Sequence, residues 1–193
     1  MRSVEEIEEQ ILLLQKERNA ARAVATAIAS VQDYAFVDSN GKPVRMSALF
    51  GSHDELLVIH NMGERCQYCA LWADGLSAFV THMQRRAALV LATPDSPESA
   101  RKQIALRGWK FPVICDREST FAADMGFEAP SKGDFPSRLP GVSAFHKEND
   151  GTIARTGAES FGPGDGFCSI WNLFPLLKGG EKEWKPIPPQ TIS

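Results

Sequence analysis

The chain has 193 residues, of which 43% are hydrophobic and 23% charged, enough for one α/β or α+β domain with a buried core. Its net charge of −3 argues against a protein that binds nucleic acid or an anionic membrane surface, because both need a basic face. No apolar run is long enough to cross a bilayer and the acidic N-terminus lacks a signal-peptide core, so a cytoplasmic protein is predicted.

Residues 3–30 are predicted to form one long helix. Ser3, followed by Glu6 three residues later, has the pattern of a capping box. Apolar residues then recur at alternating spacings of four and three, interrupted by Arg18; they are Ile7, Ile11, Leu14, Ala21, Ala25 and Ile28. The helix is expected either to pack along its own domain or to form a homodimer. Residues 1–31 are therefore assigned to an N-terminal helical extension.

The residues that follow alternate between strands and helices. Asn40-Gly41 predicts the turn of a first hairpin. Buried strands are predicted at 55–62, 87–93 and 111–116, with helices after them at 66–83, 96–108 and 119–127. Residues 128–138 are a loop by composition, and a second hairpin and a last helix are predicted at 141–157 and 169–177. This order predicts an α/β domain over residues 32–180, with a mixed central sheet flanked by helices on both faces. Residues 181–193 are predicted to form an extended proline-rich tail.

Cys66 and Cys69 stand in the stretch CQYC, between a predicted buried strand and a predicted helix. At the helix start, Cys66 meets the positive end of the helix dipole and unpaired backbone N–H groups, which stabilise a thiolate. Such a position lowers a cysteine pKa from about 8.5 to roughly 3.5–7.5, and Arg65 adds a neighbouring positive charge. Cys69 lies one turn deeper among apolar residues and should stay protonated. An exposed thiolate can attack a disulfide, and a buried thiol can then resolve the mixed disulfide.

Two further residues are candidates to support this pair. His60 ends the strand before the motif and is a candidate proton acceptor for a thiol. Pro140 directly precedes an apolar strand, and a cis bond from Leu139 would bring backbone beside the helix start that holds Cys66. The simpler interpretations are a histidine held in a structural hydrogen bond and an ordinary trans proline.

Together these motifs resemble the thioredoxin superfamily, in which a strand such as LLVIHNM precedes a helix opened by CQYC, and a proline precedes a later strand such as VSAF. The stretch FPVICDRESTFAADMGF is similar to peroxiredoxins and related thiol–disulfide reductases. More narrowly, CQYCALWADG, GWKFP and LPGVSAF resemble an uncharacterised bacterial family of thioredoxin-like proteins that also carries a helical N-terminal extension. Those proteins are predicted dithiol–disulfide oxidoreductases.

The resemblance implies a thioredoxin-like fold and thiol–disulfide exchange. Cys66 matches the attacking cysteine, Cys69 the resolving cysteine and Pro140 the cis proline. The implied substrate is a disulfide on a protein or a small thiol, electrons come from an external thiol reductant, and no cofactor or metal is required. The sequence departs from thioredoxin in that Arg65 replaces a tryptophan and Gln-Tyr replaces Gly-Pro between the cysteines.

Two other functions stay open. A peroxiredoxin-like thiol peroxidase is one, although peroxiredoxins place proline and threonine before the reactive cysteine and this chain has HNMGER there. A Cys-x-x-Cys module that binds zinc or copper is the other. Against it, Cys115 and Cys168 stand alone and the four histidines show no ligand spacing.

Overall fold

The first helix begins at a capping box and ends where the chain joins the central sheet. The computed structural model describes residues 2–130 and 137–190. Helix α1 spans Val4–Thr26; Glu6 N–H donates to Ser3 Oγ at 3.2 Å and Ser3 N–H donates to the Glu6 carboxylate at 2.8 Å. The prediction that this helix reaches residue 30 is wrong, because Ile28–Val31 forms strand β1.

The remaining elements follow the predicted alternation. The strands are β2 (Ala35–Asp38), β3 (Pro43–Arg45), β4 (Glu55–His60), β5 (Ala88–Thr93), β6 (Val113–Cys115), β7 (Glu128–Ala129), β8 (Ser137–Arg138), β9 (Gly141–Lys147) and β10 (Ile153–Ser160). The helices are α2 (Met46–Leu49), α3 (Gln67–Met83), α4 (Pro97–Arg107), α5 (Phe121–Asp124) and α6 (Ile170–Leu173). A 3-10 turn, Phe174–Leu176, follows α6.

Eight of the described strands form one mixed sheet in the order β1-β10-β9-β4-β5-β6-β2-β3. Strands β4, β5 and β6 are parallel, and every other pairing in the sheet is antiparallel. Both predicted hairpins are present, as β2-β3 and β9-β10. The predicted mixed sheet with parallel crossovers in its middle is therefore confirmed.

The sheet is covered on both faces, and successive residues of a strand alternate between them. In β4, Leu56 and Val58 contact one apolar cluster, whereas Leu57 and Ile59 contact the other. We call the first side the α5 face; it holds the aromatic residues Tyr34, Phe36, Phe50, Phe121, Phe127 and Phe145. We call the second the α3 face; it holds Trp72, Val80, Leu89, Leu91, Phe111, Phe161, Cys115 and Cys168.

Further segments differ from their sequence predictions. The helix predicted at 119–127 is confined to Phe121–Asp124. The predicted loop at 128–138 contains the small antiparallel pair β7-β8, and its residues 131–136 lie outside the described residues. The last helix ends at Leu173 and continues only as a 3-10 turn, since Pro175 has no N–H to donate. Among the described helices, none is long and apolar enough to span a membrane.

Candidate active site

Cys66 occupies the N-cap of α3, directly after the loop that leaves β4. Its backbone is extended, with φ −85° and ψ 102°, and its carbonyl accepts the first helical hydrogen bond, from Ala70 N–H at 3.1 Å. Its Sγ accepts a hydrogen bond from Cys69 N–H at 3.1 Å. A sulfur therefore fills the capping position that a serine or aspartate oxygen usually fills, and it satisfies one of the free N–H groups of the helix start.

Hydrogen bonds to its sulfur lower the pKa of Cys66 from its ordinary 9.0 to about 7. The Cys69 thiol, as a hydrogen-bond donor, lowers this pKa most. Burial opposes it and raises the pKa, and the backbone N–H groups of Cys69 and Tyr68 lower it further. Arg65, the predicted source of positive charge, is exposed and is not among the groups that lower this pKa. Hydrogen bonds at the helix start, rather than a neighbouring cation, thus favour the thiolate.

Cys69 is the buried member of the pair, with only 4% of its surface exposed. Its Sγ accepts a hydrogen bond from Met62 N–H at 3.5 Å. Its hydrogen bond to Cys66 and its burial both raise the pKa of the Cys69 thiol well above the ordinary value. The two thiols therefore differ in exposure and in pKa, in the direction that the sequence predicts.

His60 does not support the pair. It lies on the α5 face, where its ring stacks on Phe127 at 3.8 Å between centroids and its Nε2 lies 2.9 Å from Ser143 Oγ. Burial lowers the pKa of His60 to about 3, so the ring is neutral near pH 7. The prediction of a proton acceptor is wrong because of strand alternation: His60 shares a face with Leu56 and Val58, opposite the face that α3 covers.

Pro140 lies at the expected end of the sheet but not in the expected conformation. Gly141 pairs with His60, so Pro140 is at the edge from which the loop to Cys66 departs. The described residues contain no cis peptide bond, and the predicted cis Leu139–Pro140 bond is wrong. The chain runs straight from β8 into β9 here: Leu139 N–H donates to Phe127 O, and Pro140 O accepts from Phe161 N–H, both at 2.9 Å.

A small cleft lies beside Cys66. Its walls come from the loop before α3, from the ends of β5 and β6, and from α4. They include Asn61, Gly63, Glu64, Cys66, Thr93, Asp95, Ala100, Gln103, Trp109 and Pro189. Gly63 has φ +102°, and a Cβ there would lie 2.9 Å from an Asp95 carboxylate oxygen, so this wall needs glycine.

The C-terminal tail closes one side of this cleft, which the sequence analysis did not predict. Arg107, with a side chain only 1% exposed, pairs with Asp74 on α3 at 2.6 Å. Its other terminal nitrogen donates to the carbonyls of Pro188 and Pro189, at 3.5 and 3.0 Å. The proline run removes backbone donors and leaves carbonyls for an arginine to bind, a signal that composition alone does not reveal.

The other two cysteines are buried in the apolar cluster of the α3 face. Burial raises the pKa of Cys115, in β6, to about 11, and raises the pKa of Cys168 as well. All four cysteines are free thiols. Cys66 is therefore the thiol whose environment favours ionisation near neutral pH.

Metal binding by the cysteine pair finds no support in the geometry. Within residues 2–130 and 137–190, the only group of three or more candidate metal ligands is Asp54, Glu55 and His146, with Asp54 exposed and the other two partly so. Zinc and copper sites built on cysteine need further soft or imidazole ligands beside the pair. Neither Cys66 nor Cys69 belongs to such a group in the described part of the chain.

Comparison with solved structures confirms the thioredoxin-like fold. Peroxidoxin BcpB from Mycobacterium tuberculosis is 20% identical, with a TM-score of 0.57 over 68% of this chain and 82% of that one. Peroxiredoxin Q from Xanthomonas campestris is 17% identical, with a TM-score of 0.55 over 66% and 80%. A peroxiredoxin-like protein from Aquifex aeolicus is 10% identical, with a TM-score of 0.52 over 68% and 73%.

Comparison by sequence finds one family model. No curated protein matches the chain. One family model, described as "Bacterial protein of unknown function (DUF899)", matches residues 6–187. The match covers α1 as well as the sheet and its helices, so the N-terminal extension is part of the family pattern.

Proposed function

The chain belongs to the bacterial family of unknown function DUF899, and from the thiols of its candidate site we propose that it is a thiol–disulfide oxidoreductase. One observation carries the proposal. The sulfur of the N-cap cysteine accepts the Cys69 N–H at 3.1 Å, and the buried Cys69 lies one helical turn away; the pKa of Cys66 is lowered to about 7 and that of Cys69 is raised. That asymmetry suits one thiol for attack and the other for resolution.

The exchange proceeds in two displacements. The Cys66 thiolate attacks one sulfur of a substrate disulfide, forms a mixed disulfide with it and releases the other sulfur as a thiolate. Cys69 then gives up its proton, attacks Cys66 Sγ and releases the second substrate sulfur. The substrate gains two electrons and two protons, the pair is left as a Cys66–Cys69 disulfide, and an external thiol reduces that disulfide again.

A thiol peroxidase is the second candidate, and the likeness of the fold to solved peroxiredoxins favours it. The Cys66 thiolate would attack a peroxide oxygen, release an alcohol or water and become a sulfenic acid. Cys69 would then displace water and close the same disulfide. Peroxide consumption measured by stopped flow separates the two activities, since disulfide exchange needs no peroxide.

A redox titration tests the proposed exchange. The protein is equilibrated in glutathione buffers of stepped potential, its free thiols are alkylated, and each cysteine is assigned by mass spectrometry. We expect Cys66 and Cys69 to oxidise together and reversibly while Cys115 and Cys168 stay reduced. If Cys66 and Cys69 never form a disulfide with each other, or form one only with Cys115 or Cys168, the proposed mechanism is overturned.

The lowered pKa predicts how Cys66 responds to pH. Alkylation by iodoacetamide should accelerate as pH rises through about 7 and level off near 8, because the thiolate is the reactive form. At pH 7 about half of Cys66 is thiolate, against about 1% for a thiol at 9.0; the lower nucleophilicity of the weaker base reduces the advantage in rate to roughly fivefold. Cys115, with its pKa raised to about 11, serves as the slow internal control. A midpoint for Cys66 near 9 would contradict the geometry of the helix start.

The docked tail predicts that access to Cys66 is restricted. A chain that ends at Lys185 lacks Pro188 and Pro189 and should be alkylated at Cys66 severalfold faster, because Pro189 lines the cleft beside that thiol. A chain that ends at Gln190 keeps the docked prolines and is the matched control. Equal rates for the two truncated chains would show that the tail does not limit access.

A further inference from the structure

Helix α1 presents an apolar stripe, interrupted at Arg18, that its own domain leaves exposed. The stripe follows the alternating spacing of three and four that places residues on one side of a helix. Its members are Val4, Ile7, Ile11, Leu14, Ala21 and Ala25, and every one of them is exposed. Val4 is 66% exposed, Ile11 48% and Leu14 55%. We call these six residues the α1 seam.

The contact of α1 with its own domain uses other residues. Arg22 forms an ion pair with Glu159 of β10. The Thr26 hydroxyl accepts a hydrogen bond from Ala158 N–H at 2.8 Å, and the Thr26 carbonyl accepts one from Arg155 Nε at 2.7 Å. No residue of α1 is buried. The domain thus holds the C-terminal end of the helix, while the residues of the α1 seam stay exposed.

A helix of this kind needs a partner for its seam. Most helical stability in proteins comes from packing an apolar face rather than from intrinsic propensity. The capping box fixes where α1 begins, but it buries none of the seam. Since α1 is 23 residues long, or about 34 Å, its seam covers three heptads.

We propose that the α1 seam pairs with the seam of a second copy of this chain, as an antiparallel two-stranded coiled coil. The distribution of charge along α1 favours a second copy of this chain as the partner. Residues 4–9 carry four glutamates and no basic residue, whereas residues 16–22 carry Lys16, Arg18 and Arg22 against Glu17 alone. An antiparallel arrangement places the acidic end of each helix against the basic end of the other.

The position of Arg18 selects this orientation over the parallel one. Arg18 interrupts the seam between Leu14 and Ala21. In a parallel pair it would meet its own copy, and like charges facing each other destabilise the pair. In the antiparallel pair, Ile11 of each copy faces Leu14 of the other, and Arg18 falls level with Ile7, whose neighbours Glu6 and Glu8 supply opposite charge.

Sedimentation equilibrium of the full chain tests the assembly. We expect a dimer that Ile11→Glu with Leu14→Glu converts to a monomer, because the substitutions place charges in the centre of the seam. Leu13→Glu changes a residue that is 65% exposed and lies off the seam, and it should leave the dimer intact. A wild-type chain that is monomeric at all concentrations, or a Leu13→Glu variant that dissociates equally, overturns the proposal.

A charge exchange tests the orientation. Arg18→Glu should raise the dissociation constant of the dimer by about tenfold or more, since it faces acidic residues of the second copy. Adding Glu8→Lys should restore wild-type affinity, because the new pair is again of opposite sign. In a parallel dimer these two positions lie far apart, so a double variant without rescue would overturn the antiparallel arrangement. Circular dichroism confirms that each variant remains folded.

Discussion

Replacing Cys66 with serine is expected to reduce disulfide exchange to background, whereas replacing Cys69 with serine should leave the first attack intact and accumulate a mixed disulfide on Cys66. A serine hydroxyl stays protonated at neutral pH and cannot replace the thiolate. Without Cys69, no neighbouring thiol displaces the bound substrate. Both variants are incubated with oxidised glutathione and measured by intact-mass spectrometry. We expect the Cys66→Ser chain to stay unmodified and the Cys69→Ser chain to carry one glutathione.

Controls for this experiment come from the same chain. Cys115→Ser should behave as wild type, because Cys115 is buried and the pKa of its thiol is raised. Turnover by Cys66→Ser would mean that another cysteine attacks, and the mechanism would be wrong. Cys69→Ala is informative beside Cys69→Ser, since the alanine also removes the hydrogen bond that contributes most to lowering the pKa of Cys66. Only the alanine variant should move the alkylation midpoint of Cys66 towards 9.

Replacing Gly141 with alanine is expected to have the largest effect on stability. An added Cβ would lie 2.2 Å from a ring carbon of Phe127 and 2.4 Å from the backbone oxygen of Glu159. The Phe127 ring stacks on His60 and cannot swing aside freely, while Glu159 is fixed in the ladder of β10 and β9. Overpacking of this kind costs about 3 kcal/mol or more when backbone must move.

Urea unfolding followed by circular dichroism measures the effect, as a lower midpoint at unchanged slope. Gly157→Ala is the matched control, since Gly157 lies in the neighbouring strand and nothing lies within 4 Å of its added Cβ. That variant should unfold within about 0.5 kcal/mol of wild type. A Gly141→Ala chain as stable as the control would contradict the close packing of Phe127 and Glu159 against Gly141.

The placement of the cysteine pair could be predicted because its determinants are local. A continuous apolar run, a Cys-x-x-Cys and an amphipathic stretch fix a strand, a loop and a helix start in sequence order. Cys66 therefore falls at the N-cap and Cys69 one turn inside, as the structure has them. The two hairpins and the parallel crossovers were predictable for the same reason.

The supporting residues were not predictable because they depend on contacts between distant segments. In a strand buried on both faces, every residue is apolar or nearly so, and the sequence does not reveal which side His60 faces. The conformation of Pro140 follows from hydrogen bonds to Phe127 and Phe161. The tail contact requires Arg107 and Pro189, which are 82 positions apart. The strand at residues 28–31 exists because β10 is available to pair with it.

The separation of the two faces of the sheet also affects how the sequence of such a protein can evolve. Cys66 and Cys69 lie at the start of α3, while the aromatic layer of Phe121, Phe127 and Phe145 packs on the opposite face. Substitutions in groups that do not touch act almost independently on stability. A lineage can therefore vary the surroundings of its thiols while the aromatic layer keeps the fold above its stability threshold.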